Sequence, residues 1–342
     1  MSPQRQPLIG KNLEELAGIT AEMAMPRFAA AQIADWLYVK RVTDIEQMTN
    51  LSKKARAALA EKYTVGREAP LECHRSADGT AKYIFSGVPG RNIEAVMIPD
   101  RDRATLCVSC QAGCRMNCAF CMTGRNGFDG NITAAGIINQ IMNVDESENL
   151  TNIVFMGMGE PTDNLDAVMK SLEILTAPWG FAWSPKRITV STIGNIKGLR
   201  RLLDQSKVHI AISVHTPFAE ERRNIMPVEN TWHLTDVMEL LRQYDFSGQR
   251  RLSVEYTMWA GKNDSPKHAT ALARMLRGTD ARVNLIRFHK IPGFDATSSP
   301  ENTMTAFRDT LNSLGITATI RASRGEDIMA ACGMLAGKDK QK

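Results

Sequence analysis

From residue 104 onward the chain alternates short apolar runs with longer amphipathic ones, and no other feature limits its fold so sharply. Strands are expected near 104–109, 152–157, 187–192, 208–213, 252–258 and 282–288. Helices are expected between them, over 133–144, 165–175, 196–203, 234–244 and 268–276. A repeat of this kind builds a parallel sheet, because each helix returns the chain to the end where the next strand must start. Six such units are too few for a closed eight-stranded barrel. The expected fold class is α/β, a curved and partly open (β/α)6 barrel. A helix over 304–314, a strand over 317–321 and a last helix over 326–335 are expected to close the chain.

The N-terminal part has a different pattern. Residues 8–64 read as helical, with Leu13, Leu16 and Ala17, then Phe28, Ala29, Ile33, Trp36 and Leu37, recurring at spacings of three and four. Pro26 suits the first turn of a second helix, and Ser52 suits the N-cap of a third that reaches Tyr63. Asp78-Gly79 is a hairpin turn between Cys73-His74 and the run from Lys82 to Phe85, and 93–98 reads as a further strand. The expected organisation is a small helical accessory domain over 1–66, a short β linker segment over 67–92 and the main domain over 93–342. The first few residues and the tail from Lys338 to Lys342 are expected to lie outside the fold.

A hydrophobic content of 43% and a charged content of 23% belong to an ordinary soluble globular chain. The net charge of +5 permits a polyanionic partner without requiring one. No apolar run approaches the ~18 residues of a membrane span, and the N-terminus lacks a signal-peptide apolar core. The expected location is the cytoplasm. Of seven cysteines, five fall within 107–121, a poor framework for secreted disulfides and a better one for metal or redox chemistry.

Within that stretch Cys114, Cys118 and Cys121 stand in the spacing C-x3-C-x2-C. Thiolates so placed suit an iron–sulfur cluster and would leave a fourth iron without a protein ligand, an open site of the kind catalysis needs. The competing readings are a zinc site that recruits Cys107 or Cys110, and a simple redox dithiol. Ligand groups in parallel α/β folds sit at the C-terminal ends of strands. The second strand ends in Gly157-Met158-Gly159-Glu160-Pro161, where glycines admit a ligand to the backbone and Glu160 can accept from an ammonium group. A tight turn with a helix-start acid explains the same residues. The third strand ends at Ser191 and Thr192, the fourth at Ser213, Val214 and His215. His215 alone reads as a hydrogen-bonded loop histidine; at a barrel mouth it becomes a candidate ligand contact. Met156 and Met158 read as core filler. Cys73, Cys107 and Cys332, the last inside the final expected helix, read by default as buried inert thiols.

The cysteine spacing, with Phe120 before the last cysteine and Gly124 after it, resembles the radical S-adenosylmethionine (SAM) superfamily. Together with Cys107-Val-Ser-x-Gln-x-Gly-Cys114, Gly157-Met-Gly-Glu-Pro161, Arg324-Gly-Glu-Asp327 and Ala330-Ala-Cys332-Gly333, the chain resembles the RlmN family, radical SAM adenine C2-methyltransferases of 23S ribosomal RNA and transfer RNA. The resemblance spans nearly the whole chain, including 28–38, where Ala29 replaces a usual arginine. It implies a radical SAM barrel with an N-terminal RNA-binding domain. It implies a [4Fe–4S] cluster on Cys114, Cys118 and Cys121, and SAM held by Gly159, Glu160, Ser191, Ser213, Val214 and His215. His289 stands where a further SAM-binding asparagine is usual. Cys332 would carry the methyl group, Cys107 would resolve the adduct, and Glu94 is the candidate proton acceptor. Cys110 stands where a serine is usual and reads as a passive replacement.

The implied chemistry uses two SAM molecules, because adenine C2 is too poor a nucleophile to take a methyl group directly. One methylates Cys332. A second gives a 5′-deoxyadenosyl radical that activates the S-methyl group for addition to C2. Cys107 then releases the product and leaves a Cys107–Cys332 disulfide for an external reductant to restore. The implied partners are 23S rRNA, tRNA and an electron donor of the flavodoxin type, with no membrane. The target base must be extruded from its RNA fold, and Lys53, Lys54, Arg56, Arg222, Arg223, Arg250 and Arg251 are candidate phosphate contacts. Two alternatives stay open: a C8-methyltransferase of the sister Cfr family, and a non-catalytic RNA-binding protein with a zinc or structural cluster.

Overall fold

A computed structural model describes residues 5–337; residues 1–4 and the tail 338–342 lie outside the described residues. The N-terminal part is built on strand β1 (Gln6–Pro7), helices α1 (Leu13–Glu22), α2 (Ala29–Ala34) and α3 (Lys53–Lys62), and strand β2 (Tyr63–Thr64). β1 and β2 pair in parallel, a contact not expected from the sequence, so the two ends of this part meet. Asn12 starts α1 with a capping box closed by Glu15, and Ser52 starts α3 by accepting from Ala55 N at 3.2 Å. Pro26 lies ahead of α2 rather than in its first turn. Leu16, Ala29, Ile33 and Leu37 are buried as their spacing predicts, whereas Phe28 is exposed.

This part is fixed firmly to the rest. Arg67 donates to Arg41 O at 2.6 Å, Met142 O at 2.8 Å and Asn143 Oδ1 at 3.0 Å, which knots three segments together. Lys170 pairs with Glu15 at 2.5 Å, and Arg41 donates to Ser147 O at 3.1 Å. Gly10 sits so close to the following domain that a Cβ there would lie 2.2 Å from Ala135 N.

The main domain follows with β3 (Glu72–Arg75), β4 (Ala81–Val88), β5 (Arg91–Asp100) and β6 (Arg103–Cys107), joined by antiparallel pairing. The segment 67–92, expected as a β linker, therefore extends the main sheet. A small ribbon of β7 (Gln111–Gly113) and β8 (Phe128–Asn131) flanks the short helix α4 (Met122–Arg125). Then come α5 (Ala134–Met142), β9 (Asn152–Phe155), α6 (Leu165–Thr176), β10 (Ile188–Thr192), α7 (Ile196–Gln205) and β11 (His209–Ser213). The chain continues through α8 (Ala219–Ile225), α9 (Leu234–Leu241), β12 (Leu252–Met258), α10 (Pro266–Leu276), β13 (Arg282–Arg287), α11 (Glu301–Ser313) and β14 (Ala318–Ile320).

The ten-stranded sheet has the order β14-β13-β12-β11-β10-β9-β6-β5-β4-β3 and is open, with β14 and β3 at its edges. From β6 to β14 every neighbouring pair is parallel. One face of those strands is apolar, as covering helices require: Ile153, Val190, Ile210, Ile212, Val254 and Leu285 are all buried, while Ser191, Ser213 and Glu255 stand on the other face. The six expected strands are present within two residues of their expected ends, and β14 adds a seventh parallel strand.

The expected helix over 326–335 does not form. Residues 326–329 make a turn, and Gly325, Met329, Gly333 and Gly337 all have positive φ. Left-handed residues at that density cannot continue a right-handed helix. The apolar spacing that suggested one instead lays Ala330, Ala331, Met334 and Leu335 on the barrel mouth, where they are buried.

Candidate active site

The strand ends gather around one cleft of about 940 Å³, including its mouth. It is lined by Met156, Gly157, Gly159 and Glu160 after β9, Ser191 and Thr192 of β10, Ser213 and His215 of and after β11, Glu255 and Thr257 of β12, Ile286 and Phe288 at β13, and Arg321 after β14. A flat sheet would spread strands β9 to β14 over roughly 24 Å at the usual spacing of about 4.8 Å. One cleft touches all of them because the sheet is curled around it.

Cys114, Cys118 and Cys121 line the same cleft. Their loop is braced at both ends. Cys114 N donates to Gly127 O at 2.7 Å, and Gly113 passes so near that a Cβ there would lie 2.0 Å from that oxygen. Cys121 starts α4, whose Met122 N donates to Gly333 O at 2.8 Å. Burial pushes the Cys114 thiol up to about 12, and it pushes Cys118 up as well, helped by Cys121 and Cys114 nearby. Thiols in such a place ionise when a metal takes the proton's place.

Among the described residues no three His, Cys, Asp or Glu side chains are placed to hold a single metal ion. A zinc site would also need a fourth ligand. Cys107 and Cys110 do not line the cleft, and Cys110 is packed in the core. The donor set fits a cluster that takes one thiolate per iron and leaves one iron open.

Glu160 is buried, and its carboxylate accepts from Thr162 Oγ1 at 2.6 Å, Thr162 N at 3.0 Å and Ile193 N at 3.1 Å. It caps the turn at Pro161–Asp163 and also lines the cleft. Gly159 has φ of +101°, and a Cβ there would lie 2.5 Å from Gln111 Cβ and 2.8 Å from Gln111 N. The Gly159→Ala protein is expected to lose about 1–3 kcal/mol of stability through backbone strain and overpacking, read as a lower urea midpoint. An unchanged midpoint would show that the turn relaxes freely.

His215 is buried at φ +60° against Phe120, with ring centroids 4.7 Å apart. Its Nδ1 accepts from Thr257 N at 3.0 Å, which leaves the proton on Nε2. Burial, with Arg222 nearby, pushes its pKa down to about 3, so the ring is a neutral donor at physiological pH. Val214 is buried in the core and does not line the cleft. His289 does not line it either; its ring turns to Glu326, with Nδ1 3.3 Å from Oε1.

Cys332 lines the cleft on the turn-rich segment after β14 and is exposed there, not buried in a helix. Cys107, at the end of β6, is buried below it, and burial with Cys332 nearby pushes its thiol up to about 12. Arg321 stands beside both thiols. Burial opposes its charge, but Glu255 and the two sulfurs raise its pKa on balance. Glu255 Oε2 lies 3.5 Å from Arg321, while Oε1 accepts from Asn284 at 2.8 Å. Neither Glu255 nor Arg321 was expected here. The available signal was a lone acid in the otherwise uncharged strand 252–258.

Other expectations need correction. Cys73 is exposed on β3 rather than buried. Arg222, expected at RNA phosphates, is fully buried and pairs with Glu229 at 2.5 Å. Arg250 is buried too, donating to Leu203 O and Ser206 O, and Arg56 is tied to Glu46 and Leu51 O. Lys53, Lys54, Arg223 and Arg251 are exposed.

The fold and the cleft are those of a radical SAM enzyme: the model of the radical SAM superfamily matches residues 108–276, the stretch that carries Cys114, Cys118, Cys121 and Glu160. Enzymes of this superfamily use a [4Fe–4S] cluster and SAM. A second model, the ribosomal RNA large subunit methyltransferase N-terminal domain, matches residues 6–65. The chain is 55% identical over 335 residues to "Probable dual-specificity RNA methyltransferase RlmN" of Parabacteroides distasonis, covering 98% of this chain and 97% of the relative. It is 41% identical to "Dual-specificity RNA methyltransferase RlmN" of Nitratidesulfovibrio vulgaris, covering 98% and 96%. The crystal structure of a radical SAM methyltransferase from Sphaerobacter thermophilus superposes with a TM-score of 0.91 at 36% identity, covering 97% of this chain and all of that one. The chain belongs to the RlmN family of radical SAM RNA methyltransferases.

Proposed function

We propose that this enzyme methylates C2 of a specific adenine in 23S rRNA, and of an adenine 3′ of the anticodon in tRNA, through a methylated cysteine and a transient disulfide. The observation that carries the reading is the neighbouring pair of lone thiols, with Cys332 facing the cluster cysteines' cleft and Cys107 close by. A protein that used its cluster only as a structural element would need neither thiol.

The cluster and SAM, when bound, supply the one-electron chemistry that an electron-poor C2 demands. Cys114, Cys118 and Cys121 would hold the cluster. Gly159, Glu160, Ser191, Ser213 and His215 would hold SAM, with the buried carboxylate available to its ammonium group and the neutral His215 ring donating from Nε2. The Cys332 sulfur would take the methyl group from SAM, forming one S–C bond as S-adenosylhomocysteine leaves, and would then carry the carbon to C2. Glu94 would accept the C2 proton. Cys107 would form the disulfide with Cys332 as the bond from Cys332 to carbon breaks, and an external reductant of the flavodoxin class would return both thiols. The N-terminal part would hold RNA through its exposed basic side chains.

The test is anaerobic reconstitution, incubation with 23S rRNA fragments and tRNA, and nucleoside analysis by mass spectrometry. The expected product is 2-methyladenosine. A product that is only 8-methyladenosine would move the enzyme to the C8 chemistry of the sister family. Tightly bound zinc with no iron would favour the non-catalytic reading.

A further inference from the structure

Glu94 lies on β5, buried, and it does not line the cleft. Its Oε1 accepts two successive backbone N–H groups from the far end of the chain, Gly337 at 2.7 Å and Ala336 at 3.2 Å. Its Oε2 has no hydrogen bond, and Lys82 Nζ stands 3.7 Å away. The same stretch is tied to the cluster loop, where Thr123 Oγ1 donates to Leu335 O at 2.7 Å and Asn126 Nδ2 to Ala336 O at 2.9 Å. Gly337 fits tightly, since a Cβ there would meet Met158 Cε at 2.3 Å. At the other end of the segment, Gly325 N donates to Asp78 Oδ2 at 3.0 Å. Cys332 therefore sits on a span anchored on both sides.

We propose that Glu94 is a positioning residue that fastens the Cys332-bearing segment against the cluster loop. A carboxylate oxygen that accepts two main-chain N–H groups is engaged in charge-assisted bonds, and buried groups of this kind are costly to leave unpaired. The fastened arrangement sets where the Cys332 sulfur stands in the cleft. The fastening does not depend on the reading of Glu94 as proton acceptor.

Hydrogen–deuterium exchange on the full-length, anaerobically purified protein without RNA tests the fastening directly. Peptides spanning 333–337 are expected to be protected in the natural sequence. Glu94→Ala should speed their exchange at least about tenfold, the scale of a lost charge-assisted bond. Peptides from β10 and β11 should exchange as before, which reports that the sheet is intact. Glu94→Gln keeps an acceptor oxygen and should retain most of the protection, although a role in proton transfer alone predicts no change in either variant. Equal exchange in the natural and Glu94→Ala proteins would overturn the proposal. A failed search for 2-methyladenosine would leave this exchange result standing, so the two readings fail separately.

Discussion

Given RNA, SAM and reductant, the Cys107→Ala protein is expected to accumulate a covalent protein–RNA species that survives denaturant. On the function proposed above, Cys332 would act before RNA is touched, because its sulfur would carry the carbon. Cys107 would act afterwards, as the second thiol close to that sulfur that displaces it from the adduct. Cys332→Ala should therefore show neither protein methylation nor attached RNA. Cys107→Ala should retain methylation and addition and stop at release, with multiple turnover reduced by several orders of magnitude. Cys110→Ala should turn over nearly as the natural protein does, since the buried Cys110 neighbours Cys114 and Glu160 rather than Cys332. A denaturing gel stained for RNA, before and after nuclease, separates the three. Trapped RNA in Cys110→Ala and none in Cys107→Ala would make Cys110 the resolving thiol. Turnover by both would remove thiol resolution from the mechanism.

The Arg222→Met protein is expected to lose about 3–5 kcal/mol, the scale for leaving one partner of a buried ion pair alone. Arg222 is fully buried, with Nη1 on Glu229 at 2.5 Å and Nη2 on Ile193 O at 3.1 Å and Ser213 O at 3.2 Å. It therefore ties the ends of β10 and β11 together behind the cleft. Without it Glu229 keeps only the Leu234 N–H, at 3.2 Å, and distant His233 at 3.7 Å. Against a total stability of roughly 5–15 kcal/mol, that loss is large enough to lower soluble yield and the melting temperature by several degrees. Arg222→Lys should not rescue it, because a single ammonium cannot reach the carboxylate and both carbonyls at once. Arg222→Met with Glu229→Met should recover much of the loss. Thermal melts of the four proteins decide it, and an Arg222→Met protein as stable as the natural one would show that water reaches Glu229.

The contrast between Arg222 and the cysteines shows what the sequence could carry. Spacing along the chain identified Cys114, Cys118 and Cys121, because one loop delivers all three. The strands of the parallel sheet were legible because each is a short run with recurring apolar residues, bounded by helices of clear period. Arg222 sits among other charged residues in Glu220-Glu221-Arg222-Arg223, and charge alone does not reveal which of them turns inward. Glu255 and Arg321 are far apart in the chain. They meet because β12, β13 and β14 are successive neighbours, an order that no local pattern encodes. The paired strands Gln6–Pro7 and Tyr63–Thr64 are too short to signal themselves. The segment after β14 misled for the opposite reason: its apolar spacing mimics a helix, while its left-handed residues forbid one.

The way Gly10, Arg41 and Arg67 clamp the N-terminal part to α5 and the residues after it has a consequence for substrate choice. A clamped pair of surfaces works as a gauge with a fixed opening. On the function proposed above, an RNA qualifies when the adenine it can swing out falls at the one distance from its phosphates that the gauge accepts. Two RNAs with unrelated sequences can share that span. Dual specificity then asks for no second recognition surface, only for two folded RNAs of the same calibre.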